Sequence, residues 1–296
     1  MQRRTFLQAS SLTLAGVGSM PLISRSQPPS QTNFGCTLAL NAYSFNTPLM
    51  EGSMTLDGLF RFARATGFSA VDLTAYYIPG YPEVPEEQVL FGIRKQAFLM
   101  GLAISGTGVR NDFTLSEPDA LSEQIQLVKA WIRAAAKLGA PHVRVFAGRG
   151  PEAGEPREIV KRRITGALQE CARYAANFGV MIAFQNHFDY IRSTSETLEI
   201  IRSVDSKWFG LMLDIGSVEG PDPYRGIEQL IPHAITWQVK EQVRSAKGNV
   251  PTDFSTLMKL VNQYGYHGYF PLETLGEGDP TRKVQQLYDR VHGLLE

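Results

Sequence analysis

One phrase recurs along this chain: an amphipathic helix, a glycine, then a short apolar strand. The spacing predicts a helix over residues 56–66 that ends at Gly67 and leads into Ala70-Val71-Asp72-Leu73. Residues 86–100, Gly101 and 102–105 repeat it, as do 120–138, Gly139 and 143–146. Two further copies run from 158–178 through Gly179 to 180–184, and from 252–264 through Gly265 to 269–272. Glycine suits the position just past a helix because it enters the left-handed region without a Cβ clash and lets the last carbonyls find donors.

The helices carry signals of their own. Leu121, Ile125, Val128, Ile132 and Ala135 form one stripe at helical spacing. Asp279-Pro280 is a cap followed by a first-turn proline, and Ser193 with Glu196 has capping-box spacing. Further apolar runs at 36–45, 209–214 and 234–240 bring the strand count to eight. Short apolar strands alternating with helices describe a buried parallel sheet. Eight units of about 30 residues fit a single (β/α)8 TIM barrel. A doubly wound open sheet would carry a G-x-G-x-x-G turn after an early strand, and none is present.

The first residues stand apart from this pattern. Arg3-Arg4 precede Phe6-Leu7 and a charge-free, mildly apolar run over 9–23, which reads as a twin-arginine export signal. That run is too short and polar for a membrane span. The tract 25–33 (RSQPPSQTN) reads as a solvated linker, so the expected division is 1–33 signal and linker, 34–296 barrel, with a periplasmic or otherwise exported product. The barrel segment suffices for a large core, since 43% of the sequence is hydrophobic. Net charge is zero and basic residues are unclustered, so neither nucleic acid nor an anionic membrane is an expected partner. Cys36 and Cys171 lie in apolar patterns and read as buried thiols rather than a disulfide.

In a barrel of this kind, polar residues at the C-terminal ends of strands read as functional, because the loops there enclose the site. Strand five ends Ala183-Phe184-Gln185-Asn186-His187 and strand six ends Leu213-Asp214. Strand seven reads Thr236-Trp237-Gln238-Val239-Lys240-Glu241, and strand eight ends Leu272-Glu273. These four segments resemble the sugar isomerase/epimerase family of xylose-isomerase-like barrels, over essentially the whole chain beyond the leader. There, strand five typically ends Leu-Glu-Asn-His, strand six Leu-Asp, strand seven His-x-Lys-Asp/Glu, and strand eight a terminal Glu. The Glu, Asp, His and Glu hold one divalent metal, and the two glutamates act as acid and base beside a substrate carbonyl.

Carried over by position, the resemblance implies a metal site at Gln185, Asp214, Gln238 and Glu273. Gln185 stands where that family has Glu, and Gln238 where it has His. Two carboxylates therefore remain instead of three, and amide oxygens favour Mn, Mg or Ca over Zn. One member of a two-base relay is also missing, because glutamine accepts no proton near neutrality. Glu273, Lys240 and His187 are the expected catalytic groups. Arg144, Asp72, Asn41 and Tyr43 are expected to contact substrate, and Tyr76, Tyr77 and Tyr81 form either an aromatic sugar platform or a packed loop. Glu241 is expected to face away from the site in an ion pair, and Trp237 to pack between strand and helix. His142, His233, His267 and His292 receive no role.

The expected function is that of an exported isomerase/epimerase-like enzyme on an unphosphorylated sugar, keto-sugar or glycoside. It would work by metal-assisted proton abstraction next to a carbonyl, with isomerase and lyase or hydratase outcomes both open. The alternative is a catalytically weakened barrel that binds carbohydrate without turnover. An endonuclease-type site is excluded, since too few histidines fall at strand ends to hold several zinc ions. The expected partner is a small carbohydrate, and assembly into a homo-oligomer stays open.

Overall fold

The computed structural model describes residues 35–151 and 154–295, so the expected export segment lies outside the described residues. Strands β1 (Thr37–Asn41), β2 (Ala70–Thr74), β3 (Ala103–Gly108), β4 (His142–Val145), β5 (Met181–Gln185), β6 (Phe209–Asp214), β7 (Ala234–Lys240) and β10 (Tyr269–Glu273) form a closed barrel. Its order is β1-β10-β7-β6-β5-β4-β3-β2, with every pair parallel. Outside it lie α1 (Asn46–Met50), α2 (Leu56–Thr66), α3 (Glu87–Leu99), α4 (Pro118–Leu138), α5 (Arg157–Ala176), α6 (Thr194–Val204), α7 (Pro223–Leu230), α8 (Phe254–Gln263) and α9 (Pro280–His292). This is the (β/α)8 barrel the sequence predicts.

The local signals act as read. Gly67, Gly101, Gly139, Gly179 and Gly265 all take positive φ. The Ser193–Glu196 capping box closes reciprocally, and Asp279 accepts from the Thr281 amide. In α4 the stripe residues Ile125, Val128, Ile132 and Ala135 are buried, with Trp131 added to the same face. Trp237 points out of the barrel and packs against Tyr266 and Phe270. Cys171 is buried and Cys36 is half-buried; both thiols are free.

Two segments differ from expectation. The first strand ends at Asn41, because the Asn41 side chain accepts from the Tyr43 amide and turns the chain into a 3-10 helix over Ala42–Phe45. Beyond β7 the chain makes an antiparallel hairpin of β8 (Gln242–Ser245) and β9 (Gly248–Pro251), with Val243 opposite Val250. Gly248, at φ +98°, completes its tight turn, a signal too short to separate from an ordinary loop.

Candidate active site

The pleat puts residues two apart on the same side of a strand. Gln238 and Lys240 of β7 therefore share the interior with Asp214 of β6, Gln185 of β5 and Glu273 of β10. Asp214 lies level with Gln238, Glu273 with Lys240, and Gln185 with Met212. At this end of the barrel opens a pocket of about 520 Å³. Asn41, Tyr43, Asp72, Arg144, Gln185, His187, Gln238, Lys240 and Glu273 all line it. Asp214, fully buried, lies beneath them and touches Gln185 and Lys240. The structure thus brings together the residues nominated as catalytic, substrate-contacting or metal-holding.

The acidic side is one continuous hydrogen-bond network. Lys240 Nζ lies 2.8 Å from Asp214 Oδ2 and 3.5 Å from Glu273 Oε2. Gln185 Nε2 donates to Asp214 Oδ2 at 2.8 Å and to Gln238 Oε1 at 2.6 Å, and Gln238 Nε2 donates to Glu273 Oε2. The amide orientations follow from the chemistry. A carboxylate only accepts, so Gln238 must turn its NH2 to Glu273, which turns its oxygen to Gln185. Asp214 is held further by Gly216 N on Oδ1 and by Ser217 Oγ on Oδ2, both at 3.0 Å. Asn186 clamps its backbone, donating to the Asp214 carbonyl and accepting from the Asp214 amide, each at 2.9 Å. A Cβ on Gly216 would sit 2.6 Å from Lys240 Cδ, so the missing side chain makes room for the lysine stem.

Charge states follow from this packing. Burial works against a charge on Lys240, but Asp214 and Glu273 outweigh it and hold the ammonium above the usual lysine range. Burial, together with Asp214, pushes the Glu273 carboxyl up, against the pull of Lys240 and Gln238. His187 is pushed down to about 4, mainly by burial, and so is neutral near pH 7; its ring packs on Phe146.

These side chains do not make the expected metal centre. Asp214 Oδ2 already accepts from three donors, and the glutamine nearest each carboxylate presents N–H rather than oxygen to it. The donor set does not fit a divalent cation, which needs converging oxygen lone pairs.

The opposite wall is cationic. Arg144 Nη1 donates to the Val109 carbonyl at 2.5 Å and Nη2 to Tyr76 Oη at 2.9 Å, with the guanidinium 4.0 Å from the Phe146 ring centroid. Gly108 leaves the space that Arg144 crosses. Arg110 stacks on Tyr76 at 4.6 Å, and Arg149 and Arg192 stand exposed at the mouth. Half-buried Asp189 accepts from the amides of Gly148 and Ile191. Burial pushes its carboxyl up to about 7, against the effect of these backbone donors. Sequence reasoning missed Arg110, Arg149, Arg192 and Asp189 because they lie in loops beyond the strand ends, where no pleat assigns direction. Of the three tyrosines only Tyr76 faces the pocket. Tyr77 bonds Asn46 and Tyr81 packs on Trp131.

His142, given no role from the sequence, is the first residue of β4. It is buried on β4, with Nε2 3.6 Å from Asp72 Oδ2. Glu241 faces away as expected, 3.4 Å from Lys283.

Barrel and pocket together define a (β/α)8 protein with an acid/base cluster at the strand ends. The chain belongs to the Xylose isomerase-like TIM barrel family, whose model matches residues 60–291. Among solved structures it is similar to D-psicose 3-epimerase from Clostridium cellulolyticum H10, crystallised with D-tagatose. The TM-score is 0.73 at 14% identity, covering 88% of this chain and 99% of that one. It is also similar to the probable 3-DHS dehydratase of petrobactin synthesis from Bacillus anthracis, with TM-score 0.68, 17% identity and coverage of 88% and 98%. A third is 3-keto-D-glucoside 4-epimerase from E. coli, with TM-score 0.67, 13% identity and coverage of 87% and 99%. At these identities the likeness is one of fold. No curated protein matches the chain.

Proposed function

We propose that this protein is an exported enzyme that moves a proton on the carbon next to a carbonyl of an unphosphorylated sugar, keto-sugar or related hydroxy-carbonyl compound. The observation that carries this reading is Glu273. It is a buried carboxylate at a strand end, lining the pocket, with an ammonium 3.5 Å away. Burial makes the ionised carboxylate a stronger base than one in water. In the forward step Glu273 takes the proton, and the electron pair of the broken C–H bond passes through the new C=C to the carbonyl oxygen. Lys240 has three N–H donors, of which Asp214 and Glu273 engage two; the third is free for that oxygen. Return of the proton from Glu273 to the former carbonyl carbon, as the hydroxyl proton of the neighbouring carbon passes to the enediolate oxygen, completes an isomerisation. Loss of a β-hydroxyl from the same enediolate, leaving as water with the proton that Glu273 took, would instead give dehydration.

Four arginines on the facing wall support a substrate that bears a carboxylate beside its hydroxyls. The epimerases and the dehydratase among the structural neighbours support proton chemistry beside a carbonyl in this fold. Export rests on Arg3-Arg4 and supports substrates without phosphate. The test is exchange of the carbon-bound proton in D2O, followed by NMR over a panel of ketoses and keto-acids. Exchange in one of them supports the reading.

A second reading, a carbohydrate-binding barrel without turnover, is favoured by one observation: with glutamines at 185 and 238, Asp214 and Glu273 are the two carboxylates of the acidic hydrogen-bond network among the described residues. A compound that binds stoichiometrically and exchanges no proton would select it.

A further inference from the structure

The two glutamines and the lysine invite a question about charge. Three carboxylates around a dication, with the strand-seven lysine that the resemblance also implies, balance to zero. Here two carboxylates remain, Asp214 and Glu273, and one ammonium lies between them, 2.8 Å from the first and 3.5 Å from the second. Without any ion the cluster already carries a single net negative charge. Adding a dication would leave it net positive, with two cations sharing Asp214 Oδ2 in a fully buried position. The hydrogen bonds agree with the charge count. Gln185 and Gln238 turn N–H toward the carboxylates, and Asp214 Oδ2 accepts from Gln185, Ser217 and Lys240 together. Gly216, whose Cβ would meet the lysine stem, keeps Lys240 able to reach this place.

We infer that Lys240, which the related sites carry beside their metal, is here the only cation of the cluster, so that this barrel works without a metal and Lys240 is its electrophile. The arrangement is chemically coherent. An ammonium fixed between two carboxylates stays protonated and supplies positive charge and an N–H donor to a developing oxyanion, with no coordination shell to complete. Gln185→Glu and Gln238→His would both have to be made before the donor set of the family returned, which is why neither glutamine reads as an isolated change.

The inference shares its site with the proposed function, but its test reads cation binding and not turnover, so the two fail separately. Chelator-dialysed full-length protein is titrated with Mn²⁺ and free Mn²⁺ is followed by its EPR signal, with bound metal counted after gel filtration. The wild type is expected to leave the Mn²⁺ signal essentially undiminished, with dissociation weaker than about 1 mM. Lys240→Met, which keeps an unbranched side chain one atom shorter and removes its charge, is expected to bind Mn²⁺ at least about tenfold more tightly, because the ion then enters the vacated place. One equivalent of Mn²⁺ held by the wild type with micromolar affinity would overturn the inference. So would a folded Lys240→Met protein with no gain. If that variant does not fold, the wild-type titration decides alone.

Discussion

His142 Nε2 and Asp72 Oδ2 face each other at 3.6 Å inside the barrel, and neither atom has a hydrogen-bond partner among the described residues. They meet over Gly106, where a Cβ would sit 2.1 Å from the His142 ring and 2.9 Å from Asp72 Oδ2. The glycine is therefore a space-maker for a polar pair at the pocket wall. Gly106→Ala is expected to destabilise the protein by about 1–3 kcal/mol, as overpacking does. His142→Ala should restore much of that loss in the double variant. Chemical denaturation of the four proteins of this cycle measures it, and additive effects would show that the methyl group does not meet the ring.

Glu273→Gln keeps the shape of the side chain and its bond partners' positions but removes the base. Proton exchange next to the carbonyl should fall by at least about a hundredfold while the thermal midpoint stays close to wild type. Unchanged exchange in the variant would move the chemistry to another residue.

Asp189 couples the pocket to pH. Its folded pKa of about 7 lies above the ordinary 3.8, so the fold favours the protonated carboxyl. That contribution is complete below about pH 3.8 and is lost as pH rises through about 7. The stability of wild type relative to Asp189→Asn should therefore fall between pH 4 and 8, by a few kcal/mol at most, since one pKa unit corresponds to about 1.4 kcal/mol. Urea titrations at several pH values read the slope. A constant difference across the range would place the Asp189 pKa near its ordinary value.

The arginine wall predicts salt-sensitive binding of acidic ligands. Affinity for a sugar acid should exceed that for the corresponding neutral sugar and should weaken as ionic strength rises. Arg110→Ala and Arg149→Ala should each lower it only a few-fold, because both side chains are exposed. Arg144→Ala should cost more, since that guanidinium is buried and held by Val109 and Tyr76. Calorimetry with the paired sugars distinguishes these outcomes.

Export is tested by replacing Arg3 and Arg4 with lysine. The variant should accumulate in the cytoplasm as folded protein, and undiminished export would remove the twin-arginine assignment.

What the sequence determined by itself was local. The helix–glycine–strand repeat names the barrel because each part acts within a few residues. A helix stripe, a cap such as Ser193 and a left-handed glycine such as Gly139 need no distant partner. The two-residue pleat likewise shows that Gln238 and Lys240 share a side, and strand position marks Asp214 and Glu273. Tertiary structure decided the rest. Lys240 meets Asp214 across 26 residues and Gln185 meets Gln238 across 53, so the stagger between strands, not the order of residues within one, determines who bonds whom. Only once those four side chains and the lysine are in contact does each amide have to choose between presenting oxygen and presenting N–H. The carboxylates make that choice, and with it turn an expected metal cage into a hydrogen-bonded ion cluster. The same dependence on closure hid His142, whose strand gives its direction but not the empty face of Gly106 that lets it reach Asp72.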